Sequence, residues 1–382
     1  MPKDNNKWTE ARIQRLRDYL KERYTPTEIS RFMGTSYDAV RNAIRRYNLQ
    51  KYQPQVKDDL LFPDEHSTKK IKKSEIDELV TYIGQGILKH YEHLALPEPT
   101  LRKCKGKREE ISILDISDVH MGMRNNTYDE DKGRNVITYN EEIFFTQLKN
   151  LQNSIFQIHS LQEKEYKLRK LVIFVLGDII TNDRIFPEQT FEIEKCVGLQ
   201  IWDAIPVWIK FFNNLLRIYE QIEVVCVVGN HGRSNPNHYN EPVQNNFEYF
   251  IYRAWQKQFE NSKRIKVIVP DTGRYIHQVG CWRHLIEHGH ELQGYSEMAI
   301  QKQSKELFIN VGGFDVMHFG HIHQLAEKRI SDKVLVKQNG CWIYKDEYAF
   351  KKFKTYSIPE QHFFGCNDKR KETWKFSLDL RR

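Results

Sequence analysis

The chain has 382 residues, of which 40% are hydrophobic and 29% are charged, and its formal net charge is +8. This length predicts two or three domains, and the hydrophobic fraction is sufficient for one sizeable core. The longest apolar run, LVIFVLG, is much shorter than the roughly 18 residues of a membrane span. The polar start MPKDNNKW does not resemble a signal peptide. We therefore expect a cytoplasmic protein that does not enter a membrane.

The positive charge is concentrated near the N-terminus. Residues 1–54 contain 12 lysines and arginines against 6 acidic residues, a net charge of +6, whereas the other 328 residues carry only +2. A basic module attached to a nearly neutral body indicates a polyanion as the partner of that module. The six cysteines form no CxxC pair, which favours buried thiols in a reducing compartment over a zinc site or a disulfide framework.

Three short helices are predicted within residues 1–50. The second begins with a capping box of Thr25 and Glu28, with Pro26 at the first helical position, where its missing N–H costs nothing. Gly34 supplies a tight turn, after which Thr35 or Ser36 caps the third helix. Two helices joined by a short turn containing glycine are typical of a helix-turn-helix.

The outer face of the third predicted helix carries four side chains suited to nucleic acid, namely Arg41, Asn42, Arg45 and Arg46. Arginine and asparagine are common partners of phosphates and base edges. We therefore expect residues 1–50 to be a helix-turn-helix module that binds DNA. A small helical module whose basic face is solvated, and which contacts another protein, stays open as the alternative.

Residues 51–108 are predicted to form a linker followed by an amphipathic helix. The linker is polar and contains Pro54 and Pro63, and from Ser74 onward apolar residues recur at helical spacing. This helix either docks on the following domain or pairs with a second copy of the chain. A homodimer is therefore one of the two expectations.

From residue 109 to residue 382, predicted strands and helices alternate. The strand candidates are ISILDIS, KLVIFVLGD, EVVCVVGN, IKVIVP, RHLIEHG, FDVMHFGH and KVLVKQNG, and the helices lie around 140–159, 188–219 and 242–260. Strands this apolar are buried on both faces, which predicts an α/β layered body.

Most of these apolar strands end in polar side chains that can bind metal. Asp118 and His120 lie two residues apart, so strand alternation would point both to the same side. The complete set is Asp118, His120, Asp178, Asn230, His288, His321 and His323. Because the carboxyl ends of strands line the crevice of an α/β sheet, we expect these side chains to converge. Four imidazoles, two carboxylates and one amide fit two ions with open positions better than one tetrahedral ion, with Asp178 as the bridge.

The blocks DVH, GD, GNH, HG and GHIH, in this order between residues 118 and 323, resemble the calcineurin-like metallophosphoesterase superfamily. The resemblance implies a four-layer αββα sandwich with the metal site above the strand ends. It assigns one ion to Asp118, His120, Asp178 and His323, and the other to Asp178, Asn230, His288 and His321. It makes His231 the catalytic histidine beside the leaving group, with His290 outside the metal ligands and His318 in the core. The chain departs from the family at Gly232 and Arg233, where an acidic residue often follows the GNH block.

A dinuclear site of this kind implies hydrolysis by a hydroxide that bridges the two divalent ions and attacks phosphorus, while His231 protonates the leaving group or stabilises it by hydrogen bonding. The histidine-rich ligands favour manganese, iron, nickel or zinc over magnesium, and we expect manganese. Arg124, Arg184 and Arg233 each follow a metal-binding block and are candidates for phosphate contact, although a solvated loop arginine is the alternative for each. Residues 124–140 are expected to form a rim or lid over the cleft.

A phosphoesterase body tethered to a helix-turn-helix predicts a phosphodiesterase that acts on DNA, most simply a nuclease or a nucleic-acid processing enzyme. The combination also resembles metallophosphoesterases of bacteriophages and, more distantly, repair exonucleases of the superfamily. Two alternatives stay open. The first is a phosphatase or nucleotide phosphodiesterase that acts on small molecules or phosphoproteins, and the second is a non-enzymatic DNA-binding scaffold.

Overall fold

The computed structural model describes residues 8–21, 26–49, 106, 108–187, 189–235, 241–346, 349–350 and 356–381. These residues divide into two compact units, one at the N-terminus and one that begins near residue 106. Of the predicted linker and amphipathic helix, residues 51–108, all but residues 106 and 108 lie outside the described residues. Within the ranges that are described, no helix combines the length and the apolar character needed to cross a membrane.

The described part of the N-terminal unit, residues 8–21 and 26–49, contains the helices α1 (Glu10–Lys21), α2 (Pro26–Phe32) and α3 (Tyr37–Arg46). The turn after α2 contains Gly34 at φ +59°, and the Ser36 hydroxyl caps α3 by accepting a hydrogen bond from the amide of Ala39 at 3.2 Å. Apolar side chains of all three helices share one small core. The predicted N-terminal helices are therefore confirmed, and Phe32, at the end of α2, is 56% exposed.

The described residues of the second unit form thirteen strands. In chain order they are β1 (Arg108–Ile116), β2 (Asn125–Asp129), β3 (Arg134–Tyr139), β4 (Tyr166–Val175), β5 (Gln221–Cys226), β6 (Ile265–Ile268), β7 (Arg274–Val279), β8 (Trp282–Glu287), β9 (Val316–Phe319), β10 (Ala326–Arg329), β11 (Leu335–Gln338), β12 (Glu360–Asn367) and β13 (Arg370–Asp379). One sheet has the order β13-β12-β1-β4-β5-β6, and the other has the order β10-β11-β9-β8-β7. The central strands of both sheets are parallel to their neighbours, so several carboxyl ends meet at one edge of each sheet.

Among the residues that the structure describes, four long helices accompany these sheets, and they are α4 (Glu141–Gln162), α5 (Val197–Leu215), α6 (Phe247–Gln258) and α7 (Glu297–Asn310). Helices α4, α5 and α6 share one core with the six-stranded sheet, and α7 shares another with the five-stranded sheet. A third cluster joins residues of both sheets, including Val172 of β4 and Ile286 of β8. The order of layers is therefore helix, sheet, sheet, helix, which confirms the predicted αββα sandwich.

Several elements differ from the prediction. Residues 124–140, expected as a rim or lid, form the two-stranded hairpin β2–β3, and its side chains at Asn125 and Thr127 bind the carbonyls of residues 344 and 345. The helix expected from residue 188 begins only at Val197, after a loop with one short 3-10 turn. Strands β7, β10, β12 and β13 and helix α7 were not predicted, because their exposed or mixed patterns carry weak periodicity.

Polar groups lie between the two sheets as well as at the site. His318 is fully buried, as expected, and its imidazole bonds to Asp115 at 2.8 Å and to His284 at 2.9 Å. Elsewhere, the ammonium of Lys337 is fully buried and lies 2.5 Å from the carboxylates of both Glu327 and Glu372. Buried polar groups of this kind are stable only when paired.

A second network joins β4, β5 and β7. The Glu223 carboxylate lies 3.1 Å from His277 and 2.9 Å from Lys170. The hydrogen bond from His277 and the charge of Lys170 outweigh partial burial and lower the pKa of Glu223 to about 2.

Candidate metal centre

All the predicted metal ligands lie in loops that follow strands. Strands β1, β4 and β5 of one sheet, and β8 and β9 of the other, end at Ile116, Val175, Cys226, Glu287 and Phe319. The ligands come one to four residues after these ends. The loop after β1 is bound to the loop after β4, since the amide of His120 donates to the carbonyl of Asp178 at 2.9 Å. The parallel topology thus collects side chains from positions 118 to 323 in one place.

Five of the seven predicted ligands have left-handed backbone conformations. The φ angles are +51° at Asp118, +51° at His120, +54° at Asp178, +69° at His321 and +61° at His323. For a residue with a side chain, such a conformation costs about 1–3 kcal/mol and persists only where the surroundings enforce it. The pairing of Asp118 with His120 therefore does not come from strand alternation, because β1 has already ended at Ile116.

One group of ligand atoms belongs to Asp118, His120 and His323, whose ligand atoms all lie within 4.8 Å of one another. The Nε2 atoms of His120 and His323 are 3.1 Å apart, and His323 Nε2 lies 3.4 Å from Asp118 Oδ1. On its other side, His323 Nδ1 bonds to the carboxylate of Asp346 at 2.6 Å. Asp346 thereby directs Nε2 of His323 toward the site, as carboxylates commonly do for metal-binding histidines.

A second group contains Asp178, His288 and His321, again with ligand atoms within 4.8 Å. His288 Nε2 lies 3.0 Å from Asp178 Oδ2 and 3.0 Å from Asn230 Oδ1. His288 Nδ1 donates to the carbonyl of Leu176 at 2.8 Å, which fixes the ring so that Nε2 faces these oxygens. The structure therefore brings all seven predicted ligands together, with Asp178 between the two groups.

Burial and neighbouring charges shift the pKa values at this site in opposite directions. Burial, with the nearby imidazoles, holds the pKa of His120 well below its usual value, which favours the neutral ring that a metal needs. Burial would raise the pKa of Asp178, but the facing imidazoles of His288 and His231 hold it well below its usual range. Burial works against protonation of His288, yet the Asp178 carboxylate raises its pKa to about 9. Asp178 is thus an anion that requires a cationic neighbour.

The donor set fits two divalent cations. His120 Nε2 and His323 Nε2 face each other at 3.1 Å beside the Asp118 carboxylate, so a cation held there could accept a lone pair from each ring. In the other group, two oxygens, Asp178 Oδ2 and Asn230 Oδ1, each lie 3.0 Å from His288 Nε2. A cation in each group would satisfy these lone pairs, and mixed imidazole and carboxylate ligands suit manganese, iron, nickel and zinc.

His231 lies beside the first group. Its ring is 4.5 Å from that of His120 between centroids, and its amide donates to Asp178 Oδ1 at 2.8 Å. Its Nδ1 donates to the carbonyl of Thr181 at 2.8 Å, because a carbonyl can only accept. Nε2 is then the ring nitrogen that can exchange a proton with a bound molecule.

The carboxylate of Glu248, on α6, holds two of the ligand loops, and our sequence analysis missed it. Glu248 is fully buried and accepts hydrogen bonds from the amides of Ile179 and Gly229, the latter at 2.7 Å. A side chain at Gly232 would overlap Glu248 and Asn246. Gly232 follows the GNH block, where an acidic residue was expected from the resemblance, and the close packing of Glu248 and Asn246 explains why the position is glycine.

The three arginine candidates differ in position. Arg233 is 9% exposed and its Nε donates to the carbonyl of Asn230 at 2.9 Å, so it is adjacent to a ligand. Arg184 is exposed and pairs with Asp183 at 2.9 Å. Arg124 is exposed, and only its backbone position next to the first block relates it to the site. His290, expected outside the ligand set, is mostly buried, and that burial lowers its pKa to about 3.

A family model described as calcineurin-like phosphoesterase matches residues 111–325, which is more than half of the chain and contains every predicted metal ligand. The chain belongs to the calcineurin-like phosphoesterase family. This membership makes it a metal-dependent phosphoesterase, and it agrees with the ligand groups described above. No curated protein sequence matches this calcineurin-like phosphoesterase.

Several solved structures are similar to this chain at low sequence identity. Zinc-bound Vps29 from Entamoeba histolytica is 10% identical, with a TM-score of 0.31 over 70% of this chain and 99% of that one. A predicted phosphoesterase from Streptococcus pneumoniae TIGR4 is 11% identical, with a TM-score of 0.30 over 70% of this chain and 98% of that one. A 5'-nucleotidase from Candida albicans is 11% identical, with a TM-score of 0.33 over 72% of this chain and 52% of that one.

Proposed function

We propose that this calcineurin-like phosphoesterase is a dinuclear phosphodiesterase that cleaves nucleic acid, most simply a DNA nuclease that uses manganese. The observation that carries the proposal is the convergence of seven metal-binding side chains from five separate loops, several of them in strained backbone conformations. Strain of this kind at buried polar residues is typical of functional sites. The ligand assignment is the one given above, with Asp178 shared between the ions.

Bound at this site, the two cations would supply a nucleophile at neutral pH and offset the negative charge of the phosphoryl oxygens. The residues of the chain supply the remaining functions. His231 presents Nε2 for the proton that the leaving oxygen requires, because Thr181 holds Nδ1. Arg233, next to Asn230, is the arginine best placed to contact a non-bridging phosphoryl oxygen.

Nucleic acid as the substrate is supported by the N-terminal unit. Arg41, Asn42, Arg45 and Arg46 are all exposed on α3, while Val40, Ala43 and Ile44 face the small core. The helix therefore presents three cations and an amide on its outer face, as recognition helices do. A tethered module that binds DNA would raise the concentration of substrate at the phosphoesterase site.

The chemistry is tested with manganese and three substrates, namely single-stranded DNA, duplex DNA and bis(4-nitrophenyl) phosphate. We expect His231→Ala to lose hydrolysis but keep its metal, and Asp178→Asn to lose both, as measured by product release and by metal content. Faster turnover of 4-nitrophenyl phosphate than of any diester would favour the phosphatase alternative. A wild-type chain that retains no metal and hydrolyses nothing would favour the inert scaffold.

The DNA-binding role is tested in the full chain with the double variant Arg41→Ala, Arg45→Ala. The matched control is Arg15→Ala, Lys21→Ala, which removes the same charge from exposed positions on α1. We expect the α3 variant to weaken DNA binding and to reduce the salt dependence by about one phosphate contact per arginine. Equal weakening by both variants would mean that net charge, and not the face of α3, attracts DNA.

A further inference from the structure

The loop between Asp178 and helix α5 places an exposed aromatic ring beside the proposed catalytic histidine. The ring centroid of Phe186 lies 6.0 Å from that of His231, with the two planes at 76°. Phe186 is 38% exposed, so part of its ring is available to another molecule. Phe191, later in the same loop, is 85% exposed.

This loop is held in place from within. The buried side chain of Gln189 donates to the carbonyl of Thr181 at 2.6 Å and accepts from the amide of Ile185 at 2.6 Å. The same Gln189 amide lies 3.4 Å from Nδ1 of His231. At the start of the loop, the side chain of Asn182 donates to the carbonyl of His231 at 2.6 Å. These bonds fix the position of the Phe186 ring relative to His231.

We propose that Phe186 is a stacking platform for an unpaired nucleobase, namely the base of the nucleotide on the leaving side of the scissile phosphodiester. The inference rests on the proposed function, in which His231 serves the leaving oxygen. A ring next to His231 meets the leaving nucleoside before it meets any other part of the substrate. Aromatic side chains bind bases of any sequence through their faces, which suits an enzyme whose other contacts are to metal ions and phosphates.

The proposal also defines the form of the nucleic acid. A base in a duplex is stacked on both faces, so exposing one to Phe186 costs a few kilocalories per mole of unpairing and unstacking. In a single strand, a loop or a frayed end the base is already unpaired, so this cost does not arise. The preferred substrate is therefore single-stranded or locally unpaired nucleic acid.

The test uses three dinucleotide substrates with one phosphodiester each: thymidylyl-thymidine, and the two analogues in which one of the thymines is replaced by hydrogen. Removing the base on the leaving side should lower kcat/KM of the wild-type chain about 5- to 150-fold, the range that stacking on an aromatic ring provides. In Phe186→Ala the kcat/KM values of the substrates with and without that base should become similar, whereas Phe186→Trp should restore the difference between them. Phe145→Ala, which removes an exposed ring from helix α4, should keep the wild-type ratio.

An unchanged ratio in Phe186→Ala would overturn the proposal, even if activity falls, because an equal loss on all substrates means that the ring only positions His231. A second measurement does not depend on hydrolysis. A single-stranded oligonucleotide containing 2-aminopurine is titrated against the manganese-treated full chain and its Phe186→Ala variant. Quenching of the 2-aminopurine fluorescence that requires Phe186 supports the proposal. If this occurs while no nucleotide is cleaved, only the nuclease function fails. Equal quenching by both proteins overturns the proposal.

Discussion

Replacing Glu248 with glutamine tests whether a buried carboxylate outside the ligand set controls metal binding. Glu248 reaches from α6 to the backbone amides of Ile179 and Gly229, each of which is next to a predicted ligand. Glutamine is nearly the same size but has only one accepting oxygen. In the variant, one of the two amides therefore faces an NH2 group instead of an acceptor.

The magnitude follows from these two contacts. A hydrogen bond to a buried carboxylate contributes about 1.5–3 kcal/mol, so we expect the free energy of unfolding to fall by about 2 kcal/mol. Displacing either loop moves Asp178 or Asn230 away from the opposite ligand, His288. Substitutions just outside a metal's ligands typically weaken its binding about 10- to 100-fold, and we expect a loss of that size for Mn²⁺.

The assay is calorimetric titration of the chelator-treated full chain with Mn²⁺, together with urea denaturation. Glu110→Gln is the matched control, because Glu110 is also buried and its carboxylate accepts from Asn367 at 3.0 Å and from Thr373 at 2.6 Å. It lies near the start of β1, at the other end of the strand from the site. Both variants should be destabilised, but only Glu248→Gln should bind Mn²⁺ more weakly. Unchanged affinity in Glu248→Gln, or an equal loss in Glu110→Gln, would refute the reasoning.

Three further predictions concern other parts of the phosphoesterase unit. Lys337→Met leaves its two glutamate partners without their buried cation and should lower the free energy of unfolding by about 3 kcal/mol. The control is Lys375→Met, at an exposed lysine that pairs with the same glutamates, which should lower it by less than about 1 kcal/mol. Similar urea midpoints for the two variants would contradict this expectation. The pKa of Glu223 is 4.5 in the unfolded chain and about 2 in the folded protein. Its charged form therefore stabilises the folded protein by up to about 3 kcal/mol above pH 5, and this stabilisation is lost as the pH falls toward 2. Glu223→Gln should therefore flatten the acid side of a plot of urea midpoint against pH, and a slope as steep as that of the wild type would count against this account. Asp346→Asn removes the carboxylate that orients His323 and should weaken Mn²⁺ binding about 10- to 100-fold in the same titration, an expectation that fails if the affinity is retained.

The metal ligands could be predicted because metal binding requires particular residue types and because the strands before them have recognisable apolar sequences. Apolar runs such as LVIFVLG are buried on both faces, and each predicted ligand follows such a run within a few residues. The N-terminal helices could be predicted for a similar reason, since Ser36 and Gly34 act only on their immediate neighbours.

Other features depended on contacts between distant segments. Residues 188–196 have helix-forming composition, yet the loop there bonds to Met123, Arg124 and Glu141, and helix α5 starts only afterwards. Strands β12 and β13 lie more than 240 residues after β1, and β12 takes its register from pairing with β1 while the edge strand β13 pairs with β12. Local periodicity contains no information about such pairing partners.

By itself, the sequence determined which atoms can bind metal, because histidine nitrogens and carboxylate oxygens are properties of single residues, and it determined that they follow strands of an α/β sandwich. Only the tertiary structure decided how those atoms are held. Asp118 and His120 turn to one side through left-handed backbone conformations rather than strand alternation. Three further side chains come to the site from other segments: Glu248 from α6, Asp346 from the segment after β11, and Phe186 from the loop before α5. Their roles arise from packing between segments far apart in the chain, and packing of that kind leaves no local pattern in the sequence.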